Sequence, residues 1–142
     1  MSRTVELARS WIGVPFLHQG RTRAGCDCLG VVIAALQAQG ILPPDFERTD
    51  YDRHPTANDQ LTHGVQKYCT RLEQPEHGCM LTLTWHKNPP HVALYANDRA
   101  DGPTLIHADA RKGVERVVEH GYRGPWQRLK AVAWRLPTEP IA

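Results

Sequence analysis

The apolar residues of this 142-residue chain change their spacing part-way along, and that change limits the folds open to it. Early segments repeat every three to four residues, as helices do. Thr4 to Ile12 reads as a short helix. Thr4 can cap it, Glu6 suits its positive end, and Leu7/Trp11 and Ala8/Ile12 pair at i,i+4. Gly13 and Pro15 stop it, and residues 16–27 follow as a polar loop turning at Gly20 and Gly25. A second helix starts near Asp27 or Cys28 and runs to about Gln39. It is apolar almost all round, so it belongs in the core, with Asp27 as N-cap and Gly40 just past its end. Residues 41–57 read as a long surface loop. Asn58 opens a third helix, with Leu61, Val65, Tyr68, Cys69 and Leu72 as its apolar stripe.

Beyond that stripe the period drops to two. Residues 79–86, 91–96, 104–109, 114–118 and 129–136 read as strands, separated by Pro89-Pro90, Gly102-Pro103, Gly113 and Gly124-Pro125. Helices first and strands afterwards predict an α+β fold, with the helices packed on a five-stranded, mainly antiparallel sheet. The length suits one domain, residues 1–142.

Charge and hydropathy exclude several classes of partner. Lys plus Arg is 17 and Asp plus Glu is 15, a net charge of +2. That balance lacks the basic stripe of a nucleic-acid binder. No run of residues approaches the ~20 apolar positions of a membrane span. The first residues, MSRTVELARSW, show no apolar stretch after Arg3, so synthesis in the cytoplasm without a secretory signal is expected. Four Cys are too sparse for a disulfide scaffold, so free thiols are expected. The 8 His and 4 Cys are then the residues to question for chemistry.

Cys28 stands at the start of the buried helix, where unpaired N–H groups and the dipole present positive charge. A thiolate is stabilised there, and the same N–H groups can hold an oxyanion. A free Cys in such a helix can equally be a small buried hydrophobe. A nucleophile also needs a base, and the base needs an orienting partner. His91 opens a strand, and alternation puts His91, Ala93 and Tyr95 on one face. His107 lies in the next strand. If these strands are antiparallel neighbours, one imidazole can take the thiol proton while the other fixes its tautomer.

With those residues named, the segment ARSWIGVPFLHQGRTRAGCDCLGVV, followed by HVALYA and LIHAD, resembles the NlpC-like cell-wall cysteine peptidases. The likeness runs along nearly the whole chain, to the closing KAVAWRLP. Phe16, His18 and Gln19, the run Cys26-Asp27-Cys28-Leu29-Gly30, and the late Pro125-Trp126 look most like the subgroup encoded with phage tails and gene transfer agents. The resemblance implies a papain-like fold with no cofactor and no metal. It implies hydrolysis of peptidoglycan stem peptides, typically between D-glutamate and diaminopimelate. Cys28 takes the nucleophile's place, His91 the base's and His107 the orienting third position. Asp27 takes the place of a residue that binds the amino end of the stem peptide, alongside its capping role. Delivery in a tail would make tail-tip or hub proteins the partners and the cell wall the place of action.

The chain departs from the family pattern at two positions beside the site. Phe16 stands where many relatives have a tyrosine whose hydroxyl lies near the oxyanion, which leaves His18 or Gln19 as substitute donors. Leu29 stands where many have serine. These departures keep open a silent tail-tip subunit that only binds cell wall. A zinc protein is a second alternative, but C-x-C and C-x9-C are not the paired spacing of structural zinc sites. His54, His63, His77, His86 and His120 read as loop or polar-face residues. Arg21 and Arg23 could attract acidic stem peptides, although loop arginines are commonly just solvated. The four Trp read as packing residues.

Overall fold

In the computed structural model, which describes residues 2–46, 67–84 and 91–141, the first helix is capped two residues earlier than its sequence suggests. Helix α1 spans Arg3–Arg9, and Ser2 rather than Thr4 is its N-cap, accepting from the Val5 N–H at 3.2 Å. Ser2 has the extended backbone a cap needs. The 16–27 segment is more ordered than a loop: β1 (Arg21–Thr22) and β2 (Gly25–Cys26) form a short antiparallel hairpin. Helix α2 (Cys28–Ala38) follows at once, and Gly40 sits just past its end with φ of 72°. A Cβ on Gly30 would lie 2.6 Å from the Gly20 carbonyl oxygen, so glycine at 30 lets the loop before the hairpin close against the first turn of α2.

Among the described residues the sheet has six strands rather than five. They are β3 (Thr70–Leu72), β4 (Met80–Thr84), β5 (His91–Ala96), β6 (Thr104–Asp109), β7 (Arg116–Gly121) and β8 (Lys130–Arg135), in the order β3-β8-β4-β5-β6-β7. All neighbours are antiparallel. The added strand comes from the end of the expected third helix. Thr70 pairs with Arg135 and Leu72 with Ala133, so ladder bonds to β8 override the helical spacing. Residues 58–66 of that expected helix lie outside the described residues, as do His54, His63, Trp85, His86 and Pro89-Pro90. Strand β7 also shifts, running to Gly121 instead of ending at 118.

Both faces of the sheet are covered. On one, Val5 and Ala8 of α1 and Leu29, Val32, Ile33 and Leu36 of α2 cluster with Val92, Leu94, Ile106 and Val117. On the other, Leu81, Ala93, Tyr95 and Leu105 are covered by Tyr122, Trp126 and Leu129, the last two from the segment around a 3-10 helix at Gly124–Arg128. Each fully buried Val, Leu or Ile contributes about 1.5–3 kcal/mol. Among the described residues no helix is long and apolar enough to cross a membrane.

Candidate active site

Asp27 fixes the start of α2. It is 2 % exposed. Its Oδ1 accepts from the Gly30 N–H at 2.8 Å and from the Arg21 guanidinium at 2.9 Å, while Oδ2 accepts from the Gln19 N–H at 3.0 Å. The expected cap is therefore present, and it also ties the preceding loop to the helix. His18 and Gln19 lie in that loop, half-buried. Gln19 has φ of 60°, a left-handed conformation.

Cys28 is the first residue of α2 and is half-buried. Burial pushes its thiol up to about 12, and the Asp27 carboxylate adds to the rise. The N–H groups of Val92 and Leu29 hydrogen-bond to the sulfur and work the other way. The expected low thiol pKa at a helix N-terminus is thus overturned, because desolvation of the charged form outweighs the two N–H donors. The Val92 bond puts the sulfur one peptide from His91.

The sheet register brings the two expected histidines together. Leu94 faces Ile106 across β5 and β6, which sets His107 beside Ala93 and one diagonal step from His91. Their rings meet with His91 Nε2 2.6 Å from His107 Nδ1, at an interplanar angle of 80°. A third ring continues the row. His107 Nε2 lies 2.7 Å from Nε2 of His120, and His120 Nδ1 lies 3.0 Å from the Gly121 carbonyl oxygen. His120 is therefore not a solvated polar-face residue. The reading that ended its strand at 118 missed it; continuing the alternation Arg116, Val118, His120 would have found it.

Trp126 lies against this row, with ring centroids 6.3, 5.0 and 4.8 Å from His91, His107 and His120. The Arg111 guanidinium stacks on Trp126 at 5.0 Å and is held by a forked ion pair to buried Asp109, 2.6 Å at its shortest. Burial lowers His91 to about 4, opposed by the Asp109 charge. Burial also lowers His107, and the neighbouring His91 and His120 press it in the same direction. Burial therefore favours a neutral Cys28 thiol beside neutral His91 and His107.

Cys26 is buried in the hairpin, Cys79 accepts from the Glu76 N–H, and Cys69 is half-buried against the cluster that holds Cys26. Among the described residues no group of three or more His, Cys, Asp or Glu side chains is arranged to hold a metal ion. Arg21 is engaged with Asp27, and Arg23 stacks on Trp11 at 4.7 Å.

Residues 13–135 match the model of the NlpC/P60 family. The chain belongs to the NlpC/P60 family. Probable endopeptidases of Mycobacterium tuberculosis and Mycobacterium bovis are 26% identical to it over 121 residues, which is 85% of this chain. The chain spans about a quarter of those proteins' length, 26%. The NlpC/p60 domain of the peptidoglycan hydrolase SagA shares the fold, with a TM-score of 0.57 at 19% identity, over 92% of this chain and 94% of that one. In this NlpC/P60 chain the helix that presents Cys28 and the three strands β5, β6 and β7 that carry the imidazoles all lie within the matched residues.

Proposed function

We propose that residues 1–142 form one cysteine peptidase domain that hydrolyses peptidoglycan stem peptides, with Cys28 as nucleophile, His91 as general base and His107 as its orienting partner. The observation that carries this reading is the His91–His107 contact, 2.6 Å, beside a thiol that Val92 hydrogen-bonds. Family membership and the mycobacterial endopeptidases support the reaction class. The NlpC/p60 domain of the peptidoglycan hydrolase SagA shares the fold.

Because burial disfavours both charged forms, proton transfer accompanies attack. The Cys28 thiol gives its proton to His91 as sulfur adds to the amide carbonyl. The Cys28 backbone N–H, first of the helix, and a donor from His18 or Gln19 are our choice for holding the oxyanion. His91 then passes its proton to the leaving amine, and the C–N bond breaks to leave a thioester. Water, deprotonated by His91, attacks that thioester. The acid departs, and the Cys28 sulfur recovers the proton from His91. Asp27 is assigned to the amino end of the stem peptide as well as to the cap. The bond proposed is the D-glutamyl-diaminopimelate type.

The motifs around Phe16, Cys28 and Pro125-Trp126 further support work within a phage-like or gene-transfer-agent tail tip, beside hub proteins, at the cell wall. Mass spectrometry of stem-peptide products from wild type and Cys28→Ala tests the reaction. Wild type should release a new amino terminus at diaminopimelate, and the variant should not. Phe16 favours one other reading, a silent wall-binding subunit, because phenylalanine cannot donate to an oxyanion. In that case wild type would release no new amino terminus from stem peptides and would still co-sediment with insoluble peptidoglycan.

A further inference from the structure

The hydrogen bonds beyond His107 have a direction. A carbonyl oxygen only accepts, so the 3.0 Å contact to Gly121 requires the proton of His120 to sit on Nδ1. In its neutral form, the case the NMR test below checks, His120 then offers a lone pair at Nε2. Across 2.7 Å, His107 must donate from its own Nε2. That leaves His107 Nδ1 as an acceptor. Across 2.6 Å, His91 must donate from Nε2. The lone pair of His91 is thereby on Nδ1, the nitrogen of its ring that does not face His107. The opposite order would protonate His91 Nδ1 and remove the base.

We infer that His120 is a positioning residue, which reads the fixed Gly121 carbonyl and sets, through His107, the tautomer in which His91 can accept the Cys28 proton. The inference rests on the Cys28–His91–His107 reading and adds a fourth member to it. His107 cannot take its orientation from solvent, being 1 % exposed. Strand β7 is built to hold His120 still. Its neighbour Glu119, on the other face, accepts from Arg9 at 2.9 Å, Arg99 at 3.1 Å and Thr104 at 2.7 Å. Leu105 pairs directly with His120 across β6, and Trp126 packs on its ring at 4.8 Å.

The test combines His120→Phe, which keeps a planar ring but offers no acceptor, with His120→Gln, whose amide oxygen can accept from His107. Ring nitrogen NMR reports each tautomer without any turnover, so it stands even if the stem peptide proves not to be the substrate. Wild type should show His91 and His107 protonated at Nε2 and His120 at Nδ1. His120→Phe should give mixed tautomers at His91 and lower kcat about 10- to 100-fold, with KM little changed. A wrong tautomer in the Ser-His-Asp triad costs about 10⁴. His120→Gln should restore the His91 tautomer and most of kcat. An unchanged His91 tautomer in His120→Phe, or wild-type His120 protonated at Nε2, overturns the inference. Loss of stem-peptide cleavage by wild type, with the tautomers as expected, would overturn only the substrate. Circular dichroism of both variants checks that they fold. If His120→Phe does not, His120→Gln with the wild-type His91 tautomer supports the inference, and with a changed tautomer opposes it.

Discussion

His91 Nε2 and His107 Nδ1 lie 2.6 Å apart although the residues stand 16 positions apart on different strands. That contact joins the first residue of β5 to one in the middle of β6. It makes the basicity of His91 a property of the packed sheet rather than of one side chain.

Cys28→Ala should reduce stem-peptide hydrolysis at least about 10³-fold, because among the described residues the thiol that hydrogen-bonds to the Val92 N–H beside His91 is that of Cys28. The fold should survive, with a stability change within about 1 kcal/mol, since the side chain is half-buried and alanine suits the helix. Product mass spectrometry and urea unfolding check the two halves.

The acid limb of kcat/KM should fall near pH 4 rather than near 6.5. A base works when neutral, and burial holds His91 neutral down to about 4. Activity should therefore persist as pH drops from 7 to 5 and disappear through 4. A limb at 6.5 would show that the ring is solvated.

Stability should follow the same histidines with its own sign. Between about pH 4 and the usual histidine value, unfolded His91 binds a proton that the folded ring refuses. The unfolded state therefore gains protons, and Tm should fall as pH drops from 6.5 towards 4. Below that window Glu119, lowered to about 2 by its bonds to Arg9, Arg99 and Thr104 against the effect of burial, adds a second loss. Calorimetry over pH 7 to 3 should show both stages.

Trp126→Ala should lower kcat about tenfold and move the acid limb upward, from about 4 towards 6.5. Removing the ring that lies against all three histidines admits water, and water restores the charged imidazolium. A fall in kcat with an unmoved limb would assign Trp126 to substrate contact instead.

Asp27→Ala should cost about 2–4 kcal/mol in urea unfolding. It removes a helix cap and leaves the Arg21 charge without its buried partner. Asp27→Asn keeps an acceptor for the Gly30 N–H and should recover about half. If Asp27 also holds a substrate amine, Asn should raise KM for stem peptides while most of the stability remains.

The local signals that bound the second helix were legible residue by residue, while the cap of the first fell on Ser2 rather than Thr4. Asp27 as cap and Gly40 as helix end were readable because capping depends on neighbours three or four positions away. Strands at 91–96 and 104–109 have the bounds their alternation gives. The sixth strand was hidden because Thr70–Leu72 has no strand signal of its own and is held by β8, some sixty residues later. His120 was hidden for a related reason. Glu119, His120 and Gly121 look like the exit from a strand until Arg9, Arg99 and Thr104 occupy Glu119.

The sequence alone determined the order of the residues proposed for the chemistry: a thiol at the head of a buried helix, then a histidine on each of two successive strands. Only the tertiary structure decided their electrostatics and their partners. Burial is a sum over elements distant in the chain, and it reversed the thiol pKa expected from helix position. Sheet register is set by whole ladders, and it turned two expected imidazoles into a directed row of three ending on the Gly121 carbonyl.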